Sequence, residues 1–394
     1  MGSTLETTTR GIGFALLVLG TLLGTASLPA SAGPASDPAV VAASVAPDNQ
    51  RVCRTSTVPV DLQPGIVIAP GSELGPALDA ERSGQYIFVK LCLPKGQTPR
   101  GVQVLVHGIT YDHRYWNIAD PADPEANTYS WEYHATRAGY ATVAIDRLGN
   151  GASSHPPSNF VDITSNATAL HNLVQALRAG EVAAPGGERI AFSNVALVGH
   201  SYGSFTSMIE ASRFRDVDAV ILTGFSHKLN ASTALNVTAK SYPAALDPQF
   251  AGTLLDAGYL TPEPGNHQSL FYAPATDVDG RIIERDEATK GTFTAEELDN
   301  YPLILATPLR IDVPTLIVNG TLDGIFCGQS QLDLGTDCST EARLVEQESP
   351  YFPDAPSLSS ILVPGAGHDL NAFRPAPSAF QEANGWLART MPPA

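Results

Sequence analysis

Basic side chains are scarce in this sequence, and nowhere do they form a cluster. Lysine and arginine together number 23 against 40 aspartate and glutamate residues, so the formal net charge is -17 at pH 7. A surface with this excess of negative charge repels nucleic acid and anionic membranes. We therefore expect no nucleic-acid partner. The proportions of 43% hydrophobic and 16% charged residues are those of an ordinary globular protein.

Long apolar runs are missing as well, except near the start of the chain. There, Arg10 precedes GIGFALLVLGTLLGTASL, and the small residues ASA follow at 30–32. This order is typical of a secretory signal, with cleavage before Gly33, and the alternative is an uncleaved membrane anchor. We predict a signal peptide at 1–32, a secreted, extracellular protein, and no stable membrane insertion after cleavage.

Cysteine is rare, with four residues at Cys53, Cys92, Cys327 and Cys338. An even number in an exported chain favours two disulfides, and four cysteines allow three pairings. We favour Cys53–Cys92 and Cys327–Cys338, because the members of each pair are nearest in sequence and fall in one structural neighbourhood. Zinc is the alternative, but the sequence has no CxxC and no histidine at ligand spacing beside them. We therefore expect no metal.

Short apolar runs alternate with amphipathic segments along most of the chain. RVCRTSTVPV and QYIFVKLCLP are typical of early antiparallel strands. Later runs are continuously apolar and are separated by helical patterns, which predicts an α/β protein whose parallel sheet is covered on both faces. These later strand-like runs are VQVLVHG, YATVAID, NVALVGH, DAVILTGF, VPTLIVNG and SSILVPG.

The alternation breaks at 226–308, where the sequence is aromatic and irregular. We interpret this segment as an insertion that lies over the sheet, and we call it the cap segment. It divides the predicted core into 51–225 and 309–394, and the residues at 33–50 are expected to form a flexible mature N-terminus.

Local signals mark turns and helix starts in the second half of the chain. Asp279-Gly280 predicts a turn, while Thr294-x-x-Glu297 is a capping box. A second capping box, Ser378-x-x-Gln381, predicts the start of the last helix.

The stretch LVGHSYGS at 197–204 ends one predicted strand and begins a helix. A lone Gly-x-Ser-x-Gly pentapeptide is common by chance, and its serine is often only a turn residue. Between a buried strand and a helix, however, it predicts that Ser201 stands at a sharp, strained turn above the sheet edge. Gly199 and Gly203 then allow the strand and the helix to cross closely.

A serine nucleophile needs a base and an acid that orients the base. His368 lies on the loop after the last strand, and Asp323 follows the penultimate strand, so the chain order Ser201, Asp323, His368 fits such a triad. We expect His200 to pack beneath the turn and Asp369 to be excluded because it would compete sterically with its neighbour His368.

Two backbone N–H groups are predicted to form an oxyanion hole, one from Tyr202 and one from Ile109. Tyr111, Asp112 and Trp116 follow Ile109 and are interpreted as possible pocket residues. The alternative is that this loop is merely solvated.

The chain resembles the α/β-hydrolase fold family over about residues 85–390. The resemblance implies a mostly parallel, eight-stranded sheet flanked by helices, a cap after the sixth strand, and a triad at the positions of Ser201, Asp323 and His368. Asp146 and Arg147 match a turn that is structural in the family. The resemblance is carried by HG at 107–108, AIDRLGNGASS at 144–154, GHSYG at 199–203, NGTLD at 319–323 and GAGH at 365–368.

Because this fold supports many reactions, the expected reaction is inferred from the residues of the site. A serine argues against dehalogenases and epoxide hydrolases of this fold, and no glycine-rich phosphate loop or flavin fingerprint predicts a cofactor. We expect a secreted serine hydrolase that cleaves carboxylic esters of small or lipid-like acyl substrates through an acyl-enzyme. A lactonase, an amidase, a peptidase and a non-catalytic binding module remain alternatives, and oligomeric state is not predicted.

Overall fold

A mixed sheet of eight strands runs through the part of the chain that our computed structural model describes. The described residues are 51–62, 83–118, 127–272, 274, 277–299, 305, 309–328 and 335–391. The predicted signal peptide at 1–32 and the predicted N-terminal segment at 33–50 lie outside them. No helix among the described residues has the length and apolar character needed to cross a bilayer.

The main sheet has the strand order β1-β2-β4-β3-β5-β6-β10-β11. The first two strands pair antiparallel with each other, β2 pairs antiparallel with β4, and all remaining pairs are parallel. The strands are β1 (Arg51–Val60), β2 (Gln85–Pro94), β3 (Val102–Val106), β4 (Ala141–Ile145), β5 (Val195–His200), β6 (Ala219–Thr223), β7 (Ser241–Pro243), β8 (Tyr259–Pro262), β9 (Phe293–Thr294), β10 (Thr315–Gly320) and β11 (Leu358–Val363).

The described helices connect these strands and cover the sheet. They are α1 (Trp131–Arg137), α2 (Ile163–Arg178), α3 (Tyr202–Phe214), α4 (Ala231–Ala239), α5 (Gly280–Ala288), α6 (Ala295–Asp299), α7 (Glu341–Glu348) and α8 (Ala376–Thr390). Short helical turns lie at His113–Trp116, Ser158–Phe160, Pro185–Gly187, Ala244–Leu246, Pro248–Phe250, Gln268–Tyr272, Ser349–Tyr351 and Leu370–Ala372.

The central strands are buried on both faces, which explains their continuous apolar sequences. Every residue of β3, β4, β5 and β6 is buried, whereas the edge strand β1 is largely exposed along its first half. Strands that are buried on both faces need helices above and below them. The predicted α/β architecture with a mostly parallel, eight-stranded sheet is therefore confirmed.

The cap segment follows β6, the sixth strand, and carries its own antiparallel sheet in the order β7-β8-β9. Thr294 and Glu297 form the reciprocal capping bonds that the sequence predicts, at 2.9 and 3.2 Å. The turn predicted at Asp279-Gly280 is wrong, because the Asp279 carboxylate accepts a hydrogen bond from the Arg281 N–H and caps α5.

The predicted start of the last helix at Ser378 is also wrong. Helix α8 begins at Ala376, next to Pro375, and no side chain caps it. Pro377 falls in the first turn, where its missing N–H leaves no intrahelical bond unmade and its fixed φ suits a helix. The helix therefore begins two residues before the capping-box pattern.

Two disulfides join Cys53 to Cys92 and Cys327 to Cys338, the same pairs that the sequence favours. Cys53 and Cys92 face each other in the register of β1 and β2. The second bond closes a short loop directly after Asp323.

Gly203→Ala is expected to destabilise the protein. A Cβ at this position would lie 2.0 Å from the Val106 carbonyl oxygen and 2.6 Å from that of His107, and such overpacking typically lowers stability by about 1–3 kcal/mol or more. Urea unfolding of the purified variant measures the effect.

Gly385→Ala in α8 is the matched control. Its Cβ would meet no atom closer than the Arg389 side chain at 3.5 Å, and alanine is favoured over glycine within a helix by about 0.5–1 kcal/mol. Equal urea-unfolding midpoints for Gly203→Ala and the wild-type protein would contradict the close approach of Gly203 to the end of β3.

Candidate active site

Ser201 occupies a strained backbone conformation between β5 and α3. Its φ of 52° and ψ of -120° are rare for any residue other than glycine. The turn is held from the neighbouring strand, because the Ser201 N–H and the Ser204 hydroxyl both donate to the Thr223 carbonyl, at 2.9 and 3.0 Å. This geometry fixes the Ser201 hydroxyl at the carboxyl edge of the sheet.

The two glycines that flank the turn make the crossing possible. A Cβ on Gly199 would lie 2.5 Å from the Ser204 backbone nitrogen, and a Cβ on Gly203 would strike the carbonyls at the end of β3. Only glycine fits at either position, because the obstructing atoms belong to the backbone and cannot move aside.

His368 and Asp323 meet at the same edge of the sheet. His368 follows β11, and its Nδ1 lies 2.9 Å from Oδ2 of Asp323, which follows β10. The other oxygen of Asp323 accepts backbone N–H bonds from Ile325 and Phe326, at 2.9 and 3.1 Å. Both oxygens of the Asp323 carboxylate therefore have hydrogen-bond partners that fix its orientation.

His200 connects this pair to the serine. It directly precedes Ser201, and its ring centroid lies 4.9 Å from that of His368. His200 is buried, as expected from the sequence, and its Nδ1 lies 3.1 Å from the Thr223 hydroxyl. Burial, followed by the charge of His368, lowers the pKa of His200 well below its ordinary value, so its ring is neutral.

The pKa values of the pair move apart in the directions that an ion pair requires. Burial disfavours the charged form of both groups, but mutual attraction and hydrogen bonding outweigh it. The pKa of Asp323 is thereby lowered, and that of His368 is raised. Asp323 is ionised at neutral pH and stabilises a protonated His368.

The loop after β3 lies against the serine. A Cβ on Gly108 would lie 3.0 Å from the Ser201 Cβ, and the next two residues, Ile109 and Thr110, are buried. Within the described residues, the Ile109 N–H donates to no acceptor, and Tyr202 begins α3. The oxyanion-hole assignment to Ile109 and Tyr202 stays a prediction.

The possible pocket residues differ in their surroundings, and all three are buried. Trp116 packs edge-on against Trp131, with 5.8 Å between ring centroids. The Asp112 carboxylate accepts hydrogen bonds from Arg114 and lines a cleft of about 680 Å³ beside the cap segment. Tyr111 turns inward, so this loop is not merely solvated, and its pocket role stays a prediction.

Asp369 belongs to a buried polar cluster that sequence reasoning missed. Rather than competing with His368, it accepts a hydrogen bond from the Tyr111 hydroxyl and lies 3.3 Å from His200 Nε2. Burial raises the pKa of Asp369 to about 6. The cluster continues into the cap segment through Asp286, which lies 2.9 Å from His267 Nδ1. No spacing in the sequence connects these residues.

Arg147 is a second residue whose contacts the sequence did not reveal. Its buried guanidinium donates to the carbonyls of His107 and Gly108, at 3.1 and 3.2 Å. It also lies 4.7 Å from the centre of the Tyr202 ring and forms an ion pair with Glu297 of the cap segment. One side chain thus contacts the loop after β3 and the first residue of α3, which both border Ser201, and joins them to the cap segment.

Comparison with known proteins identifies the family. A profile of the alpha/beta hydrolase family matches residues 103–380, and the chain belongs to that family. No curated protein sequence matches it.

Solved structures of esterases and lipases have the same fold. A malate-bound esterase from Thermogutta terrifontis is 14% identical, with a TM-score of 0.50 over 86% of this chain and 99% of that one. A monoglyceride lipase variant from Saccharomyces cerevisiae is 16% identical, with a TM-score of 0.50 over 85% and 96%. A bacterial membrane phospholipase A is 17% identical, with a TM-score of 0.50 over 86% and 87%. At these identities the likeness shows the fold alone.

Arg147→Lys is expected to reduce hydrolytic turnover while the protein remains folded. Lysine can keep the ion pair with Glu297 but cannot also bind both loop carbonyls. A displacement of about 1 Å at a reacting centre can lower the rate about 100-fold, so we expect a loss in kcat with little change in KM. Steady-state kinetics on an activated ester would measure the changes in kcat and KM separately.

Arg310→Lys provides the control, because this exposed arginine pairs only with Asp354 among the described residues. It should leave both constants unchanged. A purely structural role for Arg147 would instead lower the melting temperature of Arg147→Lys without altering kcat of the folded enzyme.

Proposed function

We propose that this chain is a serine hydrolase that cleaves carboxylic esters, with Ser201 as nucleophile, His368 as base and Asp323 as the acid that orients it. The observation that carries the proposal is the buried His368–Asp323 hydrogen bond, which lies at the sheet edge where Ser201 is held in its strained turn. An oriented imidazole at the same sheet edge as a serine in a strained strand-to-helix turn is the arrangement that activates a hydroxyl.

The reaction follows from the bonds already made. Because Nδ1 of His368 is engaged by Asp323, Nε2 is the nitrogen left to take the proton as the Ser201 oxygen attacks the ester carbonyl. Negative charge then develops on the former carbonyl oxygen, where the N–H groups of Ile109 and Tyr202 would bind it. Collapse gives an acyl-enzyme and an alcohol protonated by His368, and water activated by His368 releases the acid.

The surroundings of the base favour a small or lipid-like acyl substrate. Ser201 is 7% exposed and His368 is 1% exposed, so the reacting bond would lie beneath the surface. Aromatic rings flank the base, with the centroids of Phe271 and Phe326 lying 6.0 and 5.6 Å from that of His368. Such an environment excludes water and favours an apolar acyl chain.

We further propose that the protein is secreted. The segment at 1–32 has the order of a signal peptide, and two disulfides are typical of proteins from an oxidising compartment.

Ser201→Ala is expected to fold normally and to lose nearly all turnover of p-nitrophenyl esters. The serine hydroxyl supports chemistry rather than packing, and removal of a triad member lowers kcat by about 10⁶-fold in a related constellation. The test is an ester series from acetate to palmitate with purified mature protein. Ser207→Ala is the control, since among the described residues its hydroxyl donates to the Gly203 carbonyl within α3.

The outcomes separate the alternatives. Ester turnover that survives Ser201→Ala would remove the proposal. If no ester is cleaved but a fluorophosphonate still labels Ser201, the substrate is an amide, a peptide or a lactone. Absence of both turnover and labelling in the wild-type protein would favour a non-catalytic binding module.

Asp323→Asn is expected to change the pH profile as well as the rate. In the wild-type protein the pKa of His368 is raised above 6.5, and the base must be neutral, so kcat/KM should rise through a pKa above that value. Without the Asp323 charge, burial dominates the pKa of His368 and lowers it. The rising limb of the kcat/KM profile should then move to lower pH, while kcat falls about 10⁴-fold.

Asp337→Asn serves as the control, because this aspartate lies on the surface between Cys327 and Cys338. It should leave both the limb and kcat unchanged. An Asp323→Asn profile with its limb at or above the wild-type position would show that another group sets the pKa of the base.

A further inference from the structure

A separate cluster of ionisable side chains lies at the opposite end of the sheet from Ser201. It consists of His171 on α2, Glu210 on α3 and Asp216 in the loop that precedes β6. Ser201 follows a strand, whereas Asp216 precedes one of the neighbouring parallel strands. The two groups therefore lie at the carboxyl and amino edges of the sheet, and the reaction proposed above does not use this cluster.

The three side chains converge on one point. His171 Nδ1 lies 2.7 Å from Asp216 Oδ2 and 4.0 Å from Glu210 Oε1. Each residue offers one ligand atom, and these three atoms all lie within 4.8 Å of one another. They come from two helices and a loop, so their convergence is a product of the fold.

No basic group or neutral donor in the described part of the chain explains the burial of Glu210. Its side chain is 0% exposed, neither carboxylate oxygen accepts a hydrogen bond from a donor among the described residues, and the side chain within hydrogen-bonding reach is another carboxyl group, Asp216. Asp216 Oδ1 is likewise unpartnered. The nearby Arg178 does not supply the missing bonds, because its described hydrogen bonds go to the backbone carbonyls of Ser193 and Asp216 and to Asp218.

A buried carboxylate is unfavourable unless it is protonated, paired with a cation or bound to a metal. Burial, and then the hydrogen bond with Asp216 and its charge, raise the pKa of Glu210 well above its ordinary value, so the surroundings do not compensate the ionised form. A proton on Glu210 could be shared with Asp216 and would engage one oxygen of each carboxyl group, whereas a cation at the convergence point would attract all three unpartnered oxygens.

We propose that His171, Glu210 and Asp216 bind a divalent cation of the zinc type. One imidazole nitrogen and two carboxylates are ligands that zinc accepts, and a catalytic or solvent-accessible zinc site commonly has three protein ligands plus water. Calcium and magnesium fit less well, because they prefer six or more oxygen ligands. This site departs from the sequence expectation of no metal.

The surroundings orient the ligands and leave a route for the ion. The His171 ring stacks on Phe214, with 3.9 Å between centroids, and Gln175 donates to Asp216 Oδ2 at 2.5 Å. Such outer contacts fix ligand geometry in metal sites. The side chains of His171 and Asp216 are 25% and 15% exposed, so a water ligand has access from solvent.

Metal binding would link α2, α3 and the loop before β6. The cation would replace the hydrogen bond between His171 and Asp216 and would neutralise Glu210. Because α3 starts at the residue after Ser201, the site would stabilise the far end of the helix on which the nucleophile turn depends. We expect a structural role, with a higher melting temperature when zinc is bound.

The test is zinc binding by the full-length mature protein after chelator treatment and dialysis. Competition with a chromophoric chelator gives affinity and stoichiometry, and the melting temperature is measured with and without ZnCl₂. Loss of even an outer-shell partner weakens a metal site about 10- to 100-fold, so Glu210→Gln and His171→Asn should each weaken zinc binding at least about 10-fold and abolish the thermal shift.

His113→Asn is the matched control, because His113 belongs to another described group of possible ligands, with Asp112 and Asp146. It should retain the wild-type zinc affinity. Failure of the wild-type protein to bind zinc would overturn the proposal and favour a protonated Glu210. Zinc binding that survives both Glu210→Gln and His171→Asn would also overturn it, as would a Glu210-dependent preference for calcium. His171→Asn covers the case in which Glu210→Gln does not fold. Because every readout is binding or melting, the result is independent of the proposed esterase activity.

Discussion

The close crossing of β5, α3 and the end of β3 is the constraint on which the rest of the site depends. Gly199 and Gly203 let backbone meet backbone at this point, where any Cβ would come within 2.5 Å of a neighbouring main-chain atom. The chain can then turn from strand to helix in one residue, which forces Ser201 to a positive φ. Burial of the surrounding strands over-determines the fold and holds this strained residue in place.

Arg147 extends that constraint from the core to the cap segment. A buried guanidinium must have its donors satisfied, and here the acceptors are the carbonyls of His107 and Gly108 and the carboxylate of Glu297. These bonds fix the loop after β3, which carries the predicted oxyanion-hole residue Ile109. The Thr294–Glu297 capping bonds orient the Glu297 carboxylate in turn, so the start of a helix in the cap segment affects the geometry beside Ser201.

The sequence predicted the features that short-range patterns encode. Continuous apolar runs between amphipathic segments are typical of strands buried on both faces, so the succession of core strands along the chain could be predicted. Gly-x-Ser-x-Gly was informative because a predicted strand and a predicted helix adjoin it. Errors arose where two local signals overlapped. Asp279-Gly280 resembles a turn, yet the same aspartate can cap a helix, and Ser378 resembles a cap although Pro377 favours an earlier start. The convergence of Asp369 with Tyr111, or of Glu210 with His171, depends on helix packing and leaves no spacing to detect.

Three buried carboxylates show how partners, rather than burial, determine what an acid can do in this fold. Asp323 has two backbone N–H donors and His368, and these outweigh burial, so its pKa falls and it remains a charge. Asp369 is equally buried, but Asp323 already occupies Nδ1 of His368. Asp369 therefore interacts with His368 through charge alone, which does not outweigh burial, and the pKa of Asp369 rises to about 6. Glu210 has no donor among the described residues. With the same burial, Asp323 therefore stays ionised, whereas the pKa values of Asp369 and Glu210 rise.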